Sequence, residues 1–419
     1  VATSPAPSSV PQLRVTTTEI ADPGPLVPML DRRHPLLWSR RGFGLVGIGE
    51  AVRLEFCGPT RFADAASAWR TLVAAATITD PLRRTGTGLI ALGSFAFSDH
   101  SAETSVLIVP ELIVGRDVDQ SWVTRVGAGY PAPPPAVPPA VPFGDDIEVT
   151  LRPGSLDANG YVAAVTAAVS RIHDHELSKV VLARELVGTL PAGGDIRRVI
   201  DALGTRYPDC WTFCVDGFLG ASPETLVSVD GGSVSARVLA GSAARGTDAE
   251  SDQAAAVALA TSQKDQDEHE FAVQNVLASL RAHSADVTAS EQPFTLKLPN
   301  LWHLASDIEG ELTDGSTSLD LVRALHPTAA VAGTPTKTAL ALIEELEPFD
   351  RGRYAGPVGW IGADGDGEWA VALRSAQVRD GTITAYAGAG IVSESVPQRE
   401  LLETRMKFRP IVEALAPIE

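Results

Sequence analysis

The stretch Val358-GWIGADGDGEWAVALRSAQVRDGTITAY-Ala387 decides the fold. Val358–Ala363 and Trp369–Val378 are β-rich runs joined by the turn Asp364-Gly-Asp-Gly367, and Thr382–Ala387 is a further strand. Strands this close in sequence pair antiparallel, because a parallel crossover needs a dozen or more residues. Asp364 and Asp366 are turn residues, since a Ca2+ loop would need more ligands.

Similar punctuation extends outward. Trp211–Phe218 and Thr225–Val229 read as strands, with Gly220-Ala-Ser-Pro-Glu224 as the turn between them, and Lys179–Leu186 reads as another. Leu156–Ile172, Asp248–Ser284, Leu319–Leu325, Lys337–Leu346 and Pro397–Leu415 carry helical patterns. From about residue 12 to 127, short strands mix with one Ala-rich helix, Phe62–Ala76; Gly88–Phe97 and Thr104–Leu112 read as buried strands. Adjacent strands with helices grouped between them predict an α+β fold with large, mostly antiparallel sheets. Residues 1–11 read as a flexible N-terminal tail, and the Pro-rich stretch 130–146 as an extended excursion.

The 419 residues include 34 Lys plus Arg and 52 Asp plus Glu, a net charge of −18. That balance disfavours nucleic acid, which needs clustered cations. No apolar run approaches the length of a membrane span, and residues 1–11 lack the apolar core of a signal peptide. Three cysteines with no paired framework suit a reducing compartment. A cytoplasmic protein is expected, with neither membrane nor nucleic acid as partner.

Several motifs fail. Gly333-Thr-Pro-Thr-Lys337-Thr338 lacks the Gly before Lys of a phosphate-binding loop, and His269-Glu270 lacks the second His of a zinc site because Val273 stands there. His173 and His175 do not share a helix face. Ser222 is followed two residues on by Glu224 rather than by the Gly of a nucleophile elbow.

Two helical patterns each carry an acidic pair at i,i+3: Asp265 with Glu268, and Glu400 with Glu403. Each is either a solvated helix face or half of a carboxylate cluster that a hard cation such as Mg2+ would neutralise. Lys407 shares the second face, as an ion-pair partner or as a cation for an anionic substrate. Lys179 opens an apolar strand, where it either snorkels or serves, once desolvated, as a base. Glu224, at a turn, is either solvated or a pocketed general acid. Gly388 and Gly390, expected in a strand-to-helix turn, make a tight turn or let a backbone approach a ligand. Arg374 is an exposed strand cation or a carboxylate clamp.

Taken together, Ser178-KVVLA-Arg184, Ala221-SPE-Thr225, Leu239-AG-Ser242, Lys264-DQDE-His269, His326-Pro-Thr328, Tyr354-AG-Pro357, Ala387-GAG-Ile391 and Glu400-LLE-Thr404 resemble the chorismate-utilising enzymes in order and spacing over about 150–415. The resemblance implies one large domain over 12–419, with sandwiched antiparallel sheets and helices outside. It implies Mg2+ held by Glu268 and Glu403, with Asp265 and Glu400 acting through water, although relatives often have Glu at the Asp265 position. It implies Lys179 as base and Glu224 as acid, and Ser242, His303, Tyr354, Arg374, Gly388, Gly390 and Lys407 as groups that bind chorismate. Ala240 stands where aminodeoxychorismate synthases carry a nucleophilic Lys. Lys179 points to a water-using branch, and Ala240-Gly-Ser242 is most like the isochorismate synthases, acting without an obligatory protein partner. Salicylate synthases share Lys179 and Glu224 and stay open as an alternative. An anthranilate-synthase large subunit and a non-catalytic chorismate binder are the further alternatives.

Overall fold

Strands Leu36–Arg40 and Trp211–Val215 show why the chain builds layers. Leu36 and Trp38 enter one hydrophobic core while Leu37 enters another; Phe213 and Val215 join the first and Cys214 the second. Successive side chains point to opposite faces of a strand, so both faces of this sheet are buried. The computed structural model describes residues 11–128, 137–298 and 301–416. Of the tail expected at 1–11, residues 1–10 lie outside the described residues, as do residues 130–136 of the Pro-rich stretch.

The described strands form a 13-stranded and a 10-stranded sheet. Their pairs are antiparallel except for Leu13–Ile20 against Thr77–Thr79. The larger core unites the two sheets: Trp38, Phe213 and Phe218 come from the first, and Leu92, Trp360 and Trp369 from the second. The smaller core covers the other face of the first sheet, under the helices Arg197–Arg206 and Pro397–Ala414, which contribute Val199, Ile200, Leu203, Phe408 and Ile411. The fold is α+β with antiparallel sheets. No described helix is long and apolar enough to cross a membrane. The three cysteines are free, Cys57 exposed and Cys210 and Cys214 buried.

One paired ribbon passes from sheet to sheet. Phe218–Ser222 pairs with Ser375–Arg379 in the first sheet, and the same two chain segments continue as Thr225–Asp230 paired with Gly367–Val371 in the second. Strands that switch sheets make the corners of such sandwiches. The bends are Pro223-Glu224 on one side and Ala372-Leu373-Arg374 on the other. Backbone bonds clamp them: Val371 N–H donates to Glu224 O at 3.1 Å, and Ala221 N–H to Arg374 O at 3.2 Å.

Five expectations are corrected. Trp211–Phe218 is a hairpin rather than one strand, turning at Asp216-Gly217 with φ of 53° and 72°, the Asp-Gly signature of a tight turn. Gly220, Ala221 and Ser222, expected in a turn, belong to the strand Phe218–Ser222, which leaves Pro223 and Glu224 as the bend. Trp369–Val378 is two strands, with Arg374 in the break between them. Asp248–Ser284 is two helices, Ala249–Thr261 and Gln263–Leu280, because the Ser262 hydroxyl accepts from Asp265 N–H and caps the second. The last strand continues past Ala387 to Ile391, so Gly388 and Gly390 lie inside it, not in a turn.

Strand Lys179–Thr189 is tied down by a buried ion pair. Glu347 accepts from Ala183 N–H at 2.7 Å, Arg351 donates to Val181 O at 2.7 Å, and the two side chains meet at 2.6 Å. They are 2% and 3% exposed. Glu347→Ala would strand a buried guanidinium, at a cost of about 3–5 kcal/mol. Urea unfolding should show that loss; a decrease below about 1 kcal/mol would mean that the pair does not hold the strand.

Candidate active site

Lys179 begins its strand beside Gly390 of the neighbouring strand Thr382–Ile391. A Cβ at Gly390 would lie 3.1 Å from Lys179 Cε, and one at Gly388 would lie 2.9 Å from Leu182 O and 3.2 Å from Tyr354 Oη. The glycines therefore make room for a lysine and a tyrosine. Gly388 also uses its backbone, its carbonyl accepting from Lys407 Nζ at 2.9 Å.

Helix Gln263–Leu280 is oriented by His269, whose Nδ1 lies 3.1 Å from Ala240 O and whose Nε2 lies 2.8 Å from Ser306 Oγ. Ala272, Val273 and Val276 are buried on the same helix, and Asp265 and Glu268 line a cavity. Opposite runs strand Ser233–Ala244, whose register with Leu301–Glu311 shifts between Ala240 and Ser242. Gly241 makes this bulge with φ of +80°, close against Asp265. Beyond it, Ser242 Oγ lies 2.7 Å from His303 Nδ1. His303 Nε2 is buried with no protein partner among the described residues. Burial, then the cations Arg374 and Lys407, push this imidazole down to about 3, so it is neutral.

Helix Pro397–Ala414 buries Leu401, Thr404, Phe408 and Ile411, while Glu400, Glu403 and Lys407 line the cavity. Arg184 locks it to the sheet, donating to Thr404 Oγ1 at 2.8 Å and lying over the Phe408 ring at 4.9 Å.

The cavity measures about 220 Å3, suited to a small metabolite. Every candidate residue lines it: the two acidic pairs, Lys179, Glu224, Ser242, His303, Tyr354, Arg374, Gly388, Gly390 and Lys407. Sequence reasoning gave no role to Lys264, which also lines the cavity and precedes Asp265. A larger open cleft of about 1200 Å3 lies elsewhere, lined by Asp80, Asp119 and Asp230, and holds none of these groups.

The cavity is charged on both signs. Lys179 Nζ meets Glu268 Oε1 at 2.5 Å, and Lys407 Nζ meets Glu403 Oε1 at 2.7 Å. Burial raises Glu403, but Lys407 and Arg374 outweigh it and hold the carboxyl below its ordinary value. Glu400 is raised, by burial and then by the Glu403 charge. Glu224 is 7% exposed, and burial lifts it to about 7 against the pull of Arg374 and Lys179. Arg374 is buried, and no carboxylate among the described residues forms an ion pair with it. Tyr354 stacks on Tyr386 at 5.4 Å, and burial raises its hydroxyl to about 12.

Among the described residues no metal cluster is preassembled. Asp265, Glu268, Glu400 and Glu403 nevertheless line one cavity and offer only oxygen donors, the donor chemistry that a hard cation takes.

A family model of chorismate-binding enzymes matches residues 23–126 and 145–416. The chain belongs to the chorismate-binding enzyme family. It is 42% identical to the isochorismate synthase DhbC of Bacillus subtilis over 267 residues, which is 61% of this chain and 67% of that protein. It is 37% identical to a MenF-type isochorismate synthase candidate of Mycobacterium tuberculosis over 352 residues, 79% of this chain and 88% of that one. A crystal structure of a candidate DhbC from Bacillus anthracis superposes with a TM-score of 0.77 at 30% identity, covering 93% of this chain and 98% of that one.

The lifted Glu224 carboxyl predicts a pH-linked effect on stability. Its folded value, about 7, exceeds the ordinary 4.5. The protonated side chain thus contributes stability that is full below pH 4.5 and lost as pH rises through 7. Glu224→Gln lacks this titration, so its stability relative to wild type should improve by on the order of 3 kcal/mol between pH 4.5 and 8. Denaturant unfolding at both pH values measures it, and a pH-independent difference would contradict the burial argument.

Proposed function

We propose that the chain is an isochorismate synthase, converting chorismate reversibly to isochorismate, with Mg2+, Lys179 as base and Glu224 as acid. The observation that carries this reading is one small cavity holding both the Lys179 amine and the buried Glu224 carboxyl, whose charge burial disfavours. The isochorismate-synthase names of the relatives favour it over a salicylate or anthranilate synthase.

Chorismate carries two carboxylates and needs a local excess of cations in a chain of net charge −18. Arg374, buried and outside any ion pair among the described residues, suits one carboxylate, with Tyr354 beside it. Neutral His303 presents Nε2 to a polar substrate atom, and Ser242 fixes its ring. Glu268 and Glu403 would hold Mg2+, with Asp265 and Glu400 assisting through water. The ion would neutralise the ring carboxylate and stabilise charge that develops during displacement.

Lys179 takes a proton from the water that attacks C2. Glu224 protonates the C4 hydroxyl as its bond to carbon breaks, and the ring double bonds shift. Lys179 is ion-paired here, and the base role requires its free amine. Glu224 starts in the form that donates, because burial disfavours its charge.

Lys179→Ala and Glu224→Gln should still bind chorismate but lose turnover by on the order of 100-fold or more. Near-wild-type rates in either variant would remove its assigned role. EDTA should abolish conversion and added Mg2+ restore it; full activity in metal-free buffer would exclude the ion. Mass spectrometry of products from chorismate, Mg2+ and no ammonia should show isochorismate, whereas salicylate would establish the pyruvate-eliminating alternative.

A further inference from the structure

Glu224 borders two cavities. Besides the substrate cavity, it lines a second one of about 270 Å3, between helix Gln263–Leu280, strand Ser233–Ala244 and the segment His326–Ala330. Among the described residues, only Glu224 and Ala330 line both. Asn275, exposed, and Ser279, half-buried, line the second cavity from helix Gln263–Leu280. Thr328 also lines it, and its hydroxyl is buried with no protein partner among the described residues. A buried hydroxyl without a partner is costly, and the cavity is roomy enough for ordered water that would satisfy it.

We propose that the second cavity is a water passage serving Glu224, and that the Thr328 hydroxyl is a positioning group that orders the water within it. The proposal rests on the acid role of Glu224. In each forward turnover the Glu224 proton leaves with the C4 oxygen as one molecule of water, while a second water gives its hydroxide to C2 and its proton to Lys179. Before the next turnover the C4 water must depart, Glu224 must regain a proton from solvent, and Lys179 must return one to solvent. With a substrate ring filling the first cavity, the second offers Glu224 a separate way toward the exposed Asn275. In the reverse direction the water attacking C4 arrives by the same path, and Glu224 then accepts its proton.

Three variants test this. Thr328→Val removes the hydroxyl at almost constant volume, and Ser279→Phe fills the cavity from helix Gln263–Leu280. Both should lower kcat by about tenfold, the scale of one lost hydrogen bond, with KM for chorismate unchanged and a larger solvent deuterium isotope effect on kcat. Thr328→Ser should restore both. Wild-type kcat and isotope effect in Thr328→Val and Ser279→Phe together would overturn the passage. So would a raised KM at unchanged kcat in Thr328→Val, which would make Thr328 a substrate contact. Glu224→Gln, assayed in parallel, separates the two readings: full turnover there refutes the acid role itself, whereas a dead Glu224→Gln beside unaffected passage variants refutes the passage alone.

Discussion

Where the ribbon of Phe218–Ser222 and Ser375–Arg379 leaves one sheet and enters the other, its ladder has to open for a few residues. A strand inside a ladder sends alternate side chains to fixed faces. A strand that changes sheets is released from that rule at the bend, and its side chains can turn into the space between layers. Glu224 and Arg374 occupy the two bends, and both reach the same cavity. Backbone bonds across the crossing keep the bends in register. The helices bearing the carboxylates, the strand bearing Lys179 and the bulged strand bearing Ser242 are arranged around this point.

Charge then decides what the cavity can hold. Burying single carboxylates or amines is expensive, and pairing them reduces the cost. Lys179 with Glu268 and Lys407 with Glu403 form such pairs. Glu224 takes the other course: burial lifts its carboxyl to about 7, against the pull of the nearby cations. The result is a cavity with ion pairs contributed by its helices, a guanidinium at the crossing outside any ion pair among the described residues, and a buried carboxyl beside it.

The sequence reveals most of this where local rules govern. The i,i+3 spacing put each acidic pair on one helix face, and both faces do line the cavity. The helix and strand types followed from apolar periodicity and turn residues. What the sequence hid depends on distant partners. Nothing near Trp369–Val378 shows that the run must break to change sheets. The length of Ser233–Ala244 and Leu301–Glu311 is set by their mutual pairing. The meaning of Gly388 and Gly390 is steric, fixed by Lys179 and Tyr354 from other parts of the chain. The Asp216-Gly217 turn was visible in the dipeptide itself and was outweighed by the apolar run around it.

Arg374 has a positive φ of 50°, a left-handed conformation that a side chain with a β-carbon adopts at a cost and glycine adopts freely. At this position conformational ease and ligand grip are opposed. A glycine would relax the backbone of the bend and leave an incoming anion without its guanidinium. The strain is local, and it is the condition on which a long cationic arm can project from the inside of a corner.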